Sequence, residues 1–172
     1  LKGASVKDAR NFYSRVYSDK KWYNYVGTVE FIESKSAVIK QIESVNINSL
    51  PVSIVFPHIL WDGTFFSGNN LFSSYFDWYS ALLKEIDRNG SKFWIIKAHP
   101  ANSYKLAGTK SEEELLFEKF IKGNSNVMLL RPTTPVSTLE LLDICKEVWT
   151  VRGSVALEAA IKGKVVVTCG EG

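Results

Sequence analysis

Two cysteines, two histidines and one methionine are all that 172 residues hold of the side chains that ligate soft metals or cross-link chains. Cys145 and Cys169 are far apart in apolar contexts, which predicts buried reduced thiols and a cytosolic site. H-E-x-x-H and paired C-x-x-C are absent, and with them the familiar structural and hydrolytic zinc sites. There is no Asp-x-Asp pair, so no metal ligand set and no required cofactor are expected. No apolar run reaches about 18 residues, so no membrane-spanning helix is expected in these residues, and no signal peptide is expected. G-x-G-x-x-G is missing after the first strand-like run, and Walker A and G-x-S-x-G are missing throughout. Dinucleotide, P-loop and serine-hydrolase chemistries therefore drop out. Without a dense Lys/Arg run or an RNA-binding motif, nucleic acid is not an expected partner. The net charge of +3 and pI near 8.8 fit an anionic substrate or a membrane surface.

What is present reads as one soluble domain. The length suffices for a sizeable core, and 45% apolar with 23% charged residues is globular composition. Residues 1–50 read as a helical segment, a linker or part of a neighbouring domain, with a second helix over 28–44. The first part interleaves Arg10, Phe12, Tyr13, Arg15, Tyr17, Lys20, Lys21, Trp22, Tyr23 and Tyr25. That pattern suits either a packed helix face or a contact with an acceptor or membrane surface. From residue 51 the pattern changes to short apolar runs alternating with amphipathic stretches. Strands are expected over 52–56, 92–97, 127–130, 147–151 and 165–168. Between them, Phe72, Tyr75, Phe76, Tyr79, Leu82, Leu83 and Ile86 repeat at helical spacing, with Asn89-Gly90 as a left-handed cap. Ser111 with Glu114 and Ser137 with Glu140 form capping boxes that start two more helices. Gly163 closes a last helix over 155–162. Five such alternations predict α/β architecture, a Rossmann-like parallel sheet flanked by helices over 51–172. The chain starts at Leu1 and stops just after the fifth strand, so it is expected to be part of a larger protein, its domain truncated at the C-terminus.

A parallel sheet gathers its strand-to-helix loops along one edge, where ligands bind. Four such loops carry polar groups: Asp62-Gly63-Thr64, Lys97-Ala98-His99-Pro100, the 133–138 loop, and Arg152-Gly153-Ser154. A lone His-Pro serves as a turn and a Gly-Ser before a helix serves as an N-cap. Together they form a candidate anion pocket of two cations, a histidine and helix N-termini. Ser154 and Glu158, four residues apart, share one helix face. Glu158 is either an exposed helix residue or a site carboxylate, and Asp62 either a turn residue or a general base. Ser137 and Thr138 cap a helix, with a second role at the ligand open. His58, next to Pro57, is assigned no role.

Three segments carry a resemblance to a known family. Val55-Phe56-Pro57-His58-Ile59-Leu60-Trp61-Asp62 is similar to the family's apolar strand leading to an aspartate. Ile95-Ile96-Lys97-Ala98-His99-Pro100 is similar to its Lys-x-His-Pro. The segment 148–166 is similar to its Ser-(Thr/Val)-x-x-Glu-Ala, Gly-Lys-Pro-Val signature, through Ser154, Glu158, Gly163 and Lys164, with Val165 where a proline is usual. Over about two-thirds of its length the chain resembles the capsule polysaccharide biosynthesis proteins. These are bacterial GT-B glycosyltransferases that include capsule Kdo transferases and have polysialyltransferase cousins.

The resemblance implies the nucleotide-binding half of a GT-B enzyme, taking a nucleotide-sugar that is CMP-linked in the best-known members. It implies transfer to a capsule or other surface polysaccharide, or a glycolipid acceptor, in the cytoplasm or at the inner face of the cytoplasmic membrane. Under it, Lys97, His99, Arg152, Gly153 and Ser154 would face the donor, with Ser137 and Thr138 nearby. Glu158 would meet a ribose hydroxyl pair, and Asp62 would be the base. A CDP-glycerol-type glycerophosphotransferase and a non-catalytic nucleotide- or sugar-binding domain are the alternatives.

Overall fold

Val52-Ser53-Ile54-Val55 is β-branched at three of four positions and cannot alternate between core and water, because every residue in it is buried. That is the pattern of a strand covered on both faces, and a parallel sheet provides it. The computed structural model describes residues 7–8, 11, 37–46, 48–60, 69–105 and 109–170. In it β1 (Val52–Val55), β2 (Phe93–Lys97), β3 (Val127–Leu130), β4 (Glu147–Thr150) and β5 (Val165–Thr168) form one sheet of order β3-β2-β1-β4-β5. All four pairings are parallel: Ser53 stands beside Trp94 on one side and Glu147 on the other. The expected α/β class with a Rossmann-like parallel sheet is the architecture found.

Helices cover both faces. The helices are α1 (Ala37–Val45), α2 (Tyr75–Arg88), α3 (Ala101–Lys105), α4 (Glu112–Ile121), α5 (Thr138–Ile144) and α6 (Val155–Ile161). On one face Val52, Ile54, Phe93, Ile95 and Val148 pack with α1, α5 and α6. On the other Val55, Trp94, Ile96 and Trp149 pack with α2 and Phe117 of α4. The period-2 alternation of the strands thus sorts one sequence onto two cores. α2 follows the helical period closely, burying Tyr75, Trp78, Tyr79, Leu82, Leu83 and Ile86.

α1 was expected outside the Rossmann-like unit, yet Val38, Ile39 and Ile42 lie in the same cluster as β1 and β2. It is part of the sheet's cover. Residues 28–36 of the expected helix, and the basic and aromatic residues from Arg10 to Tyr25, lie outside the described residues. The turn from α1 into β1 is closed by one side chain. Asn46 donates from Nδ2 to the Leu50 carbonyl (2.8 Å) and accepts the Leu50 N–H on Oδ1 (2.9 Å).

Both expected capping boxes form, at Ser111 with Glu114 and at Ser137 with Glu140. Gly163 adopts φ 71°, while Gly163 N–H donates to Ala160 and Lys164 N–H to Ala159, the paired bonds of a left-handed helix end. The cap expected at Asn89-Gly90 is different. Asn89 has φ −111° and donates its N–H to the carbonyls of Glu85 and Ile86, so the helix ends without a left-handed residue. α3 was not anticipated at all, being a single turn after Pro100.

At the N-terminal end of the sheet Glu147 Oε1 accepts from Ser53 Oγ (2.8 Å), Lys92 Nζ (2.7 Å) and Trp149 Nε1 (2.8 Å). Burial alone would raise this carboxyl, but the three donors outweigh it and hold it below its usual range. The cluster ties β1, β4 and the residue leading into β2 together at the end opposite the strand-to-helix loops.

The packing of α1 is testable. Ile42, 1% exposed, loses its side chain in Ile42→Ala, and urea unfolding is expected to show a loss of about 2–4 kcal/mol with an unchanged m-value. A loss below about 0.5 kcal/mol would mean that α1 is only a linker.

Candidate functional site

Because every strand runs the same way, the loops leaving the strands share one edge. In sheet order these are the loops after Leu130, Lys97, Val55, Thr150 and Thr168. The chain leaves β1 towards β2 and β3 and returns on the other side as β4 and β5. The crevice between the loops after β1 and β4 is therefore the switch point, where ligands bind in such sheets.

The loop after β4 builds one wall. Arg152 donates its backbone N–H to His58 Nε2 (3.1 Å) and its guanidinium Nη2 to Asn70 Oδ1 (2.6 Å). Asn70 also bridges to Gly170 after β5. A Cβ on Gly170 would sit 2.7 Å from Arg152 Nε, so only glycine lets the guanidinium lie there. Gly153 N–H donates to Thr150 Oγ1 (3.3 Å), and a Cβ on Gly153 would meet that oxygen at 2.9 Å.

Ser154 departs from the simple cap expected of it. It has helical φ/ψ, is exposed, and makes no side-chain capping bond. One turn further in, Glu158 is 7% exposed, so it is not the exposed helix residue that one reading allowed. Its Oε2 has no hydrogen-bond partner among the described residues. A carboxylate oxygen in that condition is costly for the fold, and such atoms call for a functional explanation.

The loop after β2 lies one strand to the other side. His99 Nδ1 accepts the Ala101 N–H (3.1 Å), so the neutral ring carries its proton on Nε2 and presents a donor there. α3 fixes this turn. Asn102, 1% exposed, donates from Nδ2 to Glu113 Oε1 (2.6 Å) and Ser111 Oγ (3.2 Å) at the start of α4. Lys97 donates from Nζ to the Arg131 carbonyl (3.0 Å) at the end of β3, and burial lowers its pKa from 10.5 to about 8. Ser137 accepts the Leu139 N–H (3.1 Å), while Glu140 Oε2 accepts the Ser137 N–H (3.0 Å), which is the capping role. Thr138 is the first residue of α5.

Topology thus brings Arg152, Gly153 and Ser154 to a loop bordering the switch point, with Glu158 one turn inside α6, while Lys97 and His99 lie at the end of β2, one strand from β1 on the same edge. Ser137 and Thr138 follow β3, two strands from β1 on the same edge. Asp62 and the Asp62-Gly63-Thr64 turn lie outside the described residues.

His58 corrects the sequence reading that gave it no role. Its ring stacks on Tyr75 (centroids 5.0 Å apart, planes 4° apart), and its carbonyl accepts the Tyr79 hydroxyl. Burial first, with Glu113 and Tyr75 adding to it, pushes the Tyr79 hydroxyl well above its usual pKa, so it stays a donor. The only sequence signal for His58 was its place directly after the first strand and Pro57. The burial of Glu158 had a clearer one, because it falls on the same stripe as Val155 and Ala159. Among the described residues no group of three His, Cys, Asp or Glu could hold a metal ion, and no helix is long and apolar enough to cross a membrane. Cys145 and Cys169 are both buried and unpaired.

Neither a protein-family model nor a curated protein sequence matches the chain. Among solved structures it is similar to a chain described as Thermosulfurimonas dismutans KpsC, beta Kdo 2,4 transferase. Identity is 17% and the TM-score 0.45, over 70% of this chain and 34% of that one. The chain spans about a third of the length of that solved chain.

Lys97 generates a pH prediction. Folded, it releases its proton near pH 8; unfolded, it keeps it until about 10.5. The unfolded state then binds more protons between those values, so Lys97 makes stability rise with pH across that window. Below pH 8 that contribution is absent. Urea titrations from pH 7 to 10.5 are expected to show this rise in the wild type and a flatter profile in Lys97→Met. Parallel profiles would overturn the low pKa.

Proposed function

We propose that the chain is the donor-binding half of a GT-B-type glycosyltransferase, taking a nucleotide-sugar at the β1/β4 switch point. The observation that carries this reading is Glu158, a buried carboxylate with an unsatisfied oxygen, one turn into the helix that starts at the switch point. A ribose diol offers two hydroxyl donors to such a group, and binding it would remove the desolvation cost. The backbone amides at Gly153 and Ser154 and the Arg152 guanidinium suit the phosphate side of the same ligand.

In the transfer step, an acceptor hydroxyl oxygen bonds to the anomeric carbon while the bond from that carbon to the nucleotide phosphate oxygen breaks. The electron pair leaves with the phosphate. His99, donating from Nε2, and Lys97 would stabilise the charge on that leaving oxygen. Asp62 would take the acceptor's proton. These groups supply charge and hydrogen bonds, so no metal or cofactor is assigned to the step. The acceptor is a capsule or other surface polysaccharide or its glycolipid primer, the nucleotide is CMP, and the enzyme works in the cytoplasm against the inner face of the membrane.

Thermal unfolding with CMP, CDP and other nucleotides tests the donor site. CMP at a hundred times its Kd is expected to raise Tm by roughly 5–10 °C. His99→Ala and Glu158→Gln should each weaken binding about tenfold or more, as the loss of a charge-assisted hydrogen bond predicts. A response to CDP alone would favour a glycerophosphotransferase, and silence with every nucleotide would sink the donor reading. In the full-length enzyme, Asp62→Ala is expected to bind CMP normally and to lose transfer; retained transfer removes Asp62 as the base.

A further inference from the structure

The ladder between β1 and β4 ends in an unusual rung. Val55 stands beside Trp149, and Phe56 N–H then donates to the Trp149 carbonyl (2.9 Å). Beyond it comes the Arg152 N–H, where the chain turns away into the loop before α6. Among the described residues no peptide carbonyl takes it. The acceptor is the imidazole Nε2 of His58.

That imidazole is held from the α2 side in two ways. Its ring lies flat against Tyr75, and its own carbonyl is fixed by the Tyr79 hydroxyl. With Nε2 accepting, the neutral ring carries its proton on Nδ1, which faces the Tyr75 hydroxyl at 3.4 Å. The acceptor therefore has a fixed place, and the peptide it holds carries Arg152 and precedes Gly153 and Ser154. We propose that His58 is a positioning residue for the switch-point crevice: as a neutral imidazole it fixes the Arg152–Ser154 loop in its ligand-facing conformation. The ligand side of this inference rests on the donor-site reading; the loop-holding side does not.

A peptide carbonyl would accept the Arg152 N–H at any pH, whereas an imidazole accepts it only when unprotonated. Protonation would set an N–H against an N–H beside a guanidinium. Among the described residues, the groups facing His58 are Tyr75 and Tyr79 from α2 and Arg152 from the β4 loop, with Glu113 of α4 acting on Tyr79. Phenols and guanidinium keep their charge state from pH 8 to 5. A variant that changes only the imidazole separates it from Glu113. Gln can place an amide oxygen where Nε2 stands and does not titrate, so His58→Gln keeps the acceptor and removes the proton, while His58→Leu removes both.

The test compares the 172-residue wild-type chain, His58→Gln and His58→Leu by NMR at pH 7.5 and 5.5, with and without CMP. With only two histidines in the chain, each ring titration can be assigned by substitution. In the wild type, hydrogen-exchange protection of the Arg152 amide is expected to fall at least fivefold as His58 takes up its proton. CMP affinity should fall about fivefold more than in His58→Gln, equivalent to ~1 kcal/mol at 1.4 kcal/mol per tenfold. Comparison between proteins is needed because the CMP phosphate itself takes up a proton near pH 6. His58→Leu should show the acid behaviour at both pH values. Identical pH dependence of the Arg152 amide in wild type and His58→Gln overturns the inference. If CMP binds none of the three, the donor reading fails by itself, and the Arg152 amide alone decides whether His58 holds the loop.

Discussion

The structure depends on β1 being paired on both flanks. A four-residue strand with every side chain buried has no stable existence at an edge or in water; it must lie between two other strands and two helical layers. Once β2 pairs on one side and β4 on the other, the connections from β1 have to diverge, and a crevice opens where they separate. The two cores follow from the same pairing, because alternate residues of β1 and β2 face opposite helical layers.

Polar contacts are distributed accordingly. At the N-terminal end of the sheet a single carboxylate, Glu147, gathers donors from β1, from β4 and from Lys92 just before β2, and closes that end. At the C-terminal end the polar groups instead tie neighbouring loops, helix starts and strand ends to one another: Arg152 to Asn70, Asn102 to Glu113, Lys97 to the residue after β3, His58 to Arg152. Each bond joins two different elements or loops, so the edge is held in shape without a continuous ladder. A rigid edge matters for anion binding, since backbone N–H groups recognise a phosphate only when their directions are fixed beforehand. Around the crevice, the buried Oε2 of Glu158 stands without a hydrogen-bond partner among the described residues.

Much of this was legible in the residues. The short apolar runs became strands within a residue of their expected ends, and the α2 stripe and both capping boxes formed as their spacing dictates. These features are local: a strand's burial, a helix's period and a Ser-x-x-Glu box are each decided within a dozen residues. Where the reading failed, backbone conformation at a helix end or a packing contact between elements decided. Asn89 ends α2 by bonding back to Glu85 and Ile86, so no left-handed residue is needed. α1 joins the core because Ile39 and Ile42 meet β1 and β2, and α3 exists because Asn102 is buried against the start of α4. Ser154 is spared from capping because the chain enters α6 already in a helical conformation.

By itself, the sequence determined the class of the fold, the alternation of five strands with helices, and the gathering of Lys97, His99 and Arg152 along one edge. Only the tertiary structure decided which two loops border the crevice. It placed β4, some ninety residues away in sequence, against β1, and so set Arg152 over His58. Hydrophobic periodicity tells each strand that it will be buried on both faces, but it does not name the neighbour. Strand order is settled by long-range pairing and by which helices fit over which face, and the place of His58 is a consequence of that order.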